Sequence, residues 1–226
     1  MTSCAVLFDI DGTLVDSNYL HVQTWFRALR DVGTPVPAWR IHRSIGMDGS
    51  TLVDTLTDGA PDSVQEHAKE LHSSYYKQMW PLLDTFPGAR ELLERVEKLG
   101  LQVVLATSAP EDELAVLCKV LDRDDVISAV TSSKDVDEAK PDPTIVEIAL
   151  QRAGVGPEQA VFIGDTVWDT KACVRAGVPS IGVLTGGISR DELESAGAAA
   201  VFENVAELCE SLQQERITGP IGDLLD

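Results

Sequence analysis

Two aspartates one residue apart, Asp9 and Asp11, close a short apolar run in the segment FDIDGTLVDS, residues 8–17. Residues two apart in an extended stretch point to the same side, so both carboxylates can converge on one spot. Gly12 then lets the chain bend sharply past them. Like charges that close repel, so the pair calls for a cation or for a proton held between them. Taken alone, the segment reads equally well as a polar turn after a strand, since Asp and Gly are common turn formers.

Two later segments end apolar runs in the same way, and a third lies in a loop between them. LATSA, residues 105–109, places the hydroxyls of Thr107 and Ser108 at a strand tip, where either alone would serve as a helix cap or turn hydroxyl. GDTVWD, residues 164–169, places Asp165 and Asp169 at another, again in positions suited to capping. Between them Lys140 stands in AKPDP, where a lone lysine reads as a solvated loop charge. In this order, three of them at strand ends, the four segments describe one acidic pocket furnished with a hydroxyl and an ammonium.

The elements that must position these groups alternate. Short apolar runs at residues 5–8, 102–107, 126–131, 160–164, 180–183 and 200–202 predict strands, with helical patterns between most of them, which points to an α/β parallel sheet. Leu92, Val96 and Leu99 precede a stop at Gly100, and a second helix is predicted over 143–153, from Pro143 to a terminator at Gly154. The interval from Ser17 to about Thr85 breaks the alternation, because it contains helical patterns and no convincing strand. Tyr19, Val22, Phe26 and Leu29 share one predicted face, and Val64, Ala68, Leu71 and Tyr75 another. The expected division is therefore a sheet core of residues 1–16 and 84–226 with a helical insertion over 17–83. It leaves the first strand at its carboxyl end, where open α/β sheets bind ligands, so it is placed to act as a lid.

Composition bounds the partners. The 226 residues carry 18 basic and 37 acidic side chains, a net charge of −19, which opposes binding to nucleic acid or anionic lipid. Four scattered cysteines, Cys4, Cys118, Cys173 and Cys209, show no CxxC spacing and suggest reduced thiols rather than a disulfide framework or a zinc site. No apolar run is long enough to cross a bilayer, and the first residues lack the basic-then-apolar pattern of a signal peptide. A cytoplasmic protein with a small-molecule or protein partner is expected.

The segments FDIDGTLVDS, LATSA, AKPDP and GDTVWD resemble the four motifs of the haloacid dehalogenase superfamily, the aspartate-nucleophile phosphatases, and the resemblance runs over essentially the whole chain. It implies a Rossmann-like core with an inserted all-helical cap. Asp9 would be the nucleophile that forms an aspartyl-phosphate. Asp11 would act as acid toward the leaving alcohol and then as base toward water. Thr107, with Ser108 beside it, would contact the phosphoryl group, and Lys140 would balance charge. Mg²⁺ would be held by Asp9, the backbone carbonyl of Asp11 and Asp165, with Asp169 holding its waters. An oxygen-seeking divalent cation brings an anionic phosphate to an anionic nucleophile that would otherwise repel it.

Asp11 separates branches of the family. Halide needs no protonation on leaving, and the dehalogenases lack this second aspartate, so its presence favours a phosphatase or phosphomutase. In the insertion, RIHRSIGMDGS, residues 40–50, resembles the loop of phosphoglycolate-type phosphatases and β-phosphoglucomutases, which makes Arg43 and Gly46 candidate substrate contacts. His21 and Trp25, four apart, resemble a pair found in mutases and sugar phosphatases, although a packing role fits them as well. The mutases carry an arginine three residues after the loop glycine, where this chain has Gly49, which speaks against that activity. The expected enzyme is a Mg²⁺-dependent phosphatase of a small phosphorylated metabolite, as monomer or homodimer. A phosphosugar mutase is the alternative, and a receiver-like phospho-acceptor module fits less well.

Overall fold

The strands form where short runs of β-branched and other apolar residues leave no polar face. AVLF, AVFIG and SIGV are buried at every position, the pattern of a parallel sheet covered on both faces. In the computed structural model, which describes residues 4–47, 49–135, 140–213 and 219–225, six strands build one such sheet. They are β1 (Ala5–Phe8), β2 (Gln102–Leu105), β3 (Ile127–Val130), β4 (Ala160–Gly164), β5 (Ser180–Val183) and β6 (Ala200–Phe202), in the order β3-β2-β1-β4-β5-β6 and all parallel. The outer strands β3 and β6 are only partly buried, as edge strands should be.

Eleven helices of four residues or more accompany them among the described residues. They are α1 (Asn18–Asp31), α2 (Ala38–Ser44), α3 (Gly49–Thr57), α4 (Asp62–Met79), α5 (Ala89–Lys98), α6 (Glu111–Leu121), α7 (Thr144–Ala153), α8 (Val167–Ala176), α9 (Arg190–Ala196), α10 (Val205–Ser211) and α11 (Pro220–Asp223). The chain separates into two compact units, one of Met1–Asp16 with Asp84–Asp226 and one of Ser17–Leu83. The first holds the sheet and α5 to α11; the second is made of α1 to α4 and a short turn of helix at Trp80–Leu82.

Topology concentrates the strand ends that matter. The chain leaves the central β1, reaches β2 and β3 on one side, then crosses to β4, β5 and β6 on the other. Ligands of open α/β sheets bind at such a reversal. Phe8 is in register with Leu105 on one neighbour and with Ile163 on the other, so the segments that follow these three strands leave the sheet at one level.

Two strands end earlier than their apolar runs predict. β2 stops at Leu105 and β3 at Val130, although Ala106 N–H still donates to the Phe8 carbonyl and Thr131 N–H to that of Leu105. Side chains then take over from the ladder. The Thr131 hydroxyl donates to the Thr107 carbonyl at 2.9 Å, and the Thr107 hydroxyl accepts from Ala109 N–H at 3.0 Å, which bends the chain into a turn.

The helical unit has its own core of Val22, Trp25, Leu29, Val36, Ile41, Leu52, Val53, Leu56 and Ala68. Its packed faces differ from the predicted ones by one position on each of two helices. Tyr19 is exposed and stacks on His42, whereas Trp25 takes the buried place on α1. On α4 it is Tyr76 that is buried; Tyr75 donates its hydroxyl to Asp31 at 2.7 Å, with Arg27 over its ring. Amphipathic aromatics satisfy either position, and hydrogen-bond partners on the neighbouring helix decide between them. No helix of the described residues is long and apolar enough to cross a membrane.

Candidate active site

The turn after β1 is built around one carbonyl. The oxygen of Ile10 accepts from the N–H groups of Thr13, Leu14 and Val15, and Gly12 N–H donates to Val15. Gly12 sits at φ 77, a left-handed conformation that a side chain would strain. Asp9, the first residue past the strand, is fixed to β4 by its N–H to the Ile163 carbonyl at 2.9 Å.

Lys140 reaches this point from the loop after β3. Its ammonium lies 2.5 Å from Asp9 Oδ1 and 2.7 Å from Asp169 Oδ1. All three residues are almost out of solvent, at 4% exposure for Lys140, 8% for Asp9 and 2% for Asp169. The loop is anchored beyond the lysine, where Arg175 on α8 donates to the Pro141 carbonyl at 2.7 Å.

Asp169 is placed by the capping chemistry of α8. Thr166 is the N-cap: its hydroxyl accepts from Asp169 N–H at 3.2 Å, while Asp169 Oδ2 accepts from both the N–H and the hydroxyl of Thr166. Such a reciprocal box satisfies two orphan groups at the helix start. The carboxylate also lies where a Cβ on Gly164 would stand, so glycine there makes room for it. Asp165 is fully buried, and its Oδ1 accepts from the Thr13 hydroxyl at 2.9 Å.

Asp9, Asp165 and Asp169 together offer one carboxylate oxygen each within 4.8 Å of one another. Two of these three buried carboxylates, Asp9 and Asp169, share one ammonium, so two negative charges stay uncompensated if all three are ionised. Burial pushes the Asp9 carboxyl up to about 7; Lys140 pulls it down, but Asp169 and Asp11 add to the rise. Burial alone would lower the Lys140 ammonium, yet Asp169 and Asp9 outweigh it and hold the group above its ordinary value. An all-oxygen, strongly anionic donor set of this kind fits a hard divalent cation such as Mg²⁺. The nearby Cys173 thiol is fully buried and pushed well up by burial and by Asp169, which leaves it unsuited to act as a nucleophile.

The residues expected from sequence therefore divide into groups. Asp9, Lys140, Asp165 and Asp169 meet in one cluster. Asp11 is half-buried next along the same turn and close enough to raise the Asp9 carboxyl, but its side chain is not one of the three clustered carboxylates. Thr107 is buried and Ser108 half-buried just past the end of β2, the strand beside β1. His21, Arg43 and Gly46 belong to the helical unit. There His21 Nδ1 lies 3.2 Å from His72 Nε2, and its ring stacks on Tyr76 at 3.8 Å between centroids. Arg43 is exposed near the end of α2, and Gly46 lies in the turn that follows at φ 94. Asp48 and Ala139, within two of the quoted motifs, fall outside the described residues.

Sequence reasoning passed over Thr13, Thr166, Thr185 and Gly186. The first two had readable signals, since Thr13 directly follows the DG turn and Thr166 stands three before Asp169, the spacing of a capping box. Thr185 and Gly186 follow β5 as the earlier motifs follow their strands, a signal weaker because no charged group accompanies it.

Residues 6–183 match the family model for haloacid dehalogenase-like hydrolases, and the chain belongs to that family. It is 30% identical to a phosphorylated carbohydrates phosphatase of Thermotoga maritima over 88% of this chain and 94% of that protein. A phosphoglycolate phosphatase of Rhodospirillum rubrum is also 30% identical, over 90% of this chain and 88% of the relative. Among solved structures, a hydrolase from Pseudomonas syringae superposes with a TM-score of 0.87 at 36% identity, covering 94% of this chain and 98% of that one.

Proposed function

We propose that this protein is a Mg²⁺-dependent phosphatase that hydrolyses a small phosphate monoester, in the phosphoglycolate or sugar phosphate range, through an aspartyl-phosphate on Asp9. The observation that carries this reading is the buried cluster of Asp9, Asp165 and Asp169 around Lys140, at the reversal point of a parallel sheet. Its relatives among phosphatases support the same class of reaction.

A carboxylate oxygen of Asp9 attacks phosphorus, and the bond from phosphorus to the alcohol oxygen breaks. Asp11 gives its proton to that oxygen. A water then attacks the aspartyl-phosphate while Asp11 takes its proton back, releasing inorganic phosphate and restoring Asp9. Lys140, bonded to Asp9 and Asp169, holds the nucleophile's orientation and offsets charge. Thr107 and Ser108 contribute contacts to the phosphoryl group. Asp9, Asp165 and the Asp11 backbone carbonyl would hold Mg²⁺, with Asp169 holding its waters. When bound, the ion supplies the positive charge that lets an anionic phosphate approach an anionic nucleophile.

The helical unit acts as the cap and supplies substrate contacts through His21, Arg43 and Gly46, and the enzyme works in the cytoplasm. The test is a panel of phosphate esters with Mg²⁺, scored for released phosphate, with Asp9→Asn alongside. Loss of the nucleophile is expected to reduce turnover on the order of 10⁴-fold or more while the chain stays folded. Retained turnover in Asp9→Asn would exclude that residue as the nucleophile. Interconversion of two sugar phosphates with little free phosphate would point to a mutase instead.

A further inference from the structure

The turn after β5 takes no part in the reading above, yet it touches both segments that carry the clustered carboxylates. The Thr185 hydroxyl donates to the Gly12 carbonyl at 2.5 Å, reaching the turn after β1. Gly186 packs against Asp165 so closely that a Cβ built on it would overlap Oδ2 and lie 2.7 Å from Cγ. Glycine is not required here by backbone conformation. Gly186 closes the short helical turn Leu184–Gly186, and the left-handed residue is the next one, Gly187, at φ 78. The demand on Gly186 is for space, and what fills that space is a carboxylate.

We propose that Thr185 and Gly186 are positioning residues for Asp165, holding its carboxylate in the orientation a divalent cation needs; the inference rests on the reading of Asp165 as a metal ligand. The two oxygens of Asp165 are located from two sides. The Thr13 hydroxyl donates to Oδ1 at 2.9 Å, and Oδ2 lies against Gly186. The Thr185 bond to Gly12 joins those two supports, because Gly12 directly precedes Thr13. Shifting the turn therefore moves both walls of the seat together. A ligand that must keep one orientation depends on the groups behind it, and losing such a group costs roughly 10–100-fold in metal affinity.

Mg²⁺ titrations by calorimetry on the full chain test the inference, with circular dichroism to confirm folding. Gly186→Ala is expected to weaken Mg²⁺ binding by about 10–100-fold. It should raise the Mg²⁺ concentration for half-maximal turnover by a similar factor, with a much smaller change in kcat at saturating Mg²⁺. Thr185→Val should shift affinity in the same direction by less, and Thr185→Ser, which keeps the hydroxyl, should bind as the wild type does. A folded Gly186→Ala protein with wild-type Mg²⁺ affinity overturns the proposal. If that variant fails to fold, equal affinity in Thr185→Val and Thr185→Ser overturns it. Asp165→Asn separates the two levels: unchanged Mg²⁺ affinity there overturns the metal reading and this inference together. Loss there with retention in Gly186→Ala overturns this inference alone.

Discussion

The two units bury ionisable side chains by opposite means. In the sheet unit Lys140 is held charged between Asp9 and Asp169, with Asp165 close by. In the helical unit, burial pushes the His72 imidazole well below its ordinary value and the neighbouring His21 lowers it further, so the ring stays neutral. It stacks on Trp25 at 4.1 Å and pairs with His21 through one ring nitrogen of each. A buried charge must be paired or bound by a metal, whereas a neutral ring needs only packing and one hydrogen-bond partner. The difference lies in charge: the sheet unit's cluster could hold a cation. Three carboxylates against one ammonium leave negative charge to be balanced; the histidine stack leaves none.

The comparison should break most visibly at Lys140. Lys140→Met strands Asp9 and Asp169, and removing one member of a buried ion pair costs about 3–5 kcal/mol. Urea unfolding of the metal-free protein should register this loss. A variant as stable as the wild type would mean that protons, and not the ammonium, neutralise the carboxylates.

Acid should act on the two units with opposite sign. Asp9 binds its proton in the native state up to about pH 7, against 3.8 ordinarily, so its contribution is fully present below pH 3.8 and is lost as pH rises toward 7. The slope is at most about 1.4 kcal/mol per pH unit. His72 works the other way: its native value lies below 6.5, so its contribution is present above pH 6.5 and is lost as pH falls. Between pH 7 and pH 5, amide protection factors of metal-free protein, which correct for the base-catalysed fall in intrinsic exchange, should rise near the ends of β1 and β4 and fall in α1 and α4. Movement of both regions in the same direction would erase the contrast, and Asp9→Asn should flatten the first trend only.

The smallest effect is expected at His72 itself. His72→Phe keeps a ring against Trp25 and Tyr76 and loses the bond to His21, at a cost of about 1 kcal/mol at pH 7. It should also remove the acid sensitivity of the helical unit, followed by thermal melts from pH 7 to 5. A loss several times larger would show that the histidine pair carries charge after all.

Much of this cluster is legible in the sequence. Strands such as AVLF and AVFIG are apolar throughout because a doubly covered parallel sheet exposes neither face, and their ends are marked by Asp9 and Asp165. Lys140 was legible only through its order among the other motifs, since nothing local distinguishes it from a surface lysine. Tyr75 and Tyr76 illustrate the opposite case. Both fit a helical face, and only Asp31 and Arg27 on the neighbouring helix decide which ring points inward.

Sequence alone determined the apolar strands and the chemical types at their ends, because periodicity and turn chemistry are local properties, and its four motifs carried the resemblance that implied the class of protein. Tertiary structure decided how those types combine. It put one ammonium between two carboxylates from different strand ends, and it set a glycine from the β5 turn against Asp165. It also joined Thr13 to a carboxylate 152 positions away. Strand order and register fix these distances, and neither is written in any single segment of the chain.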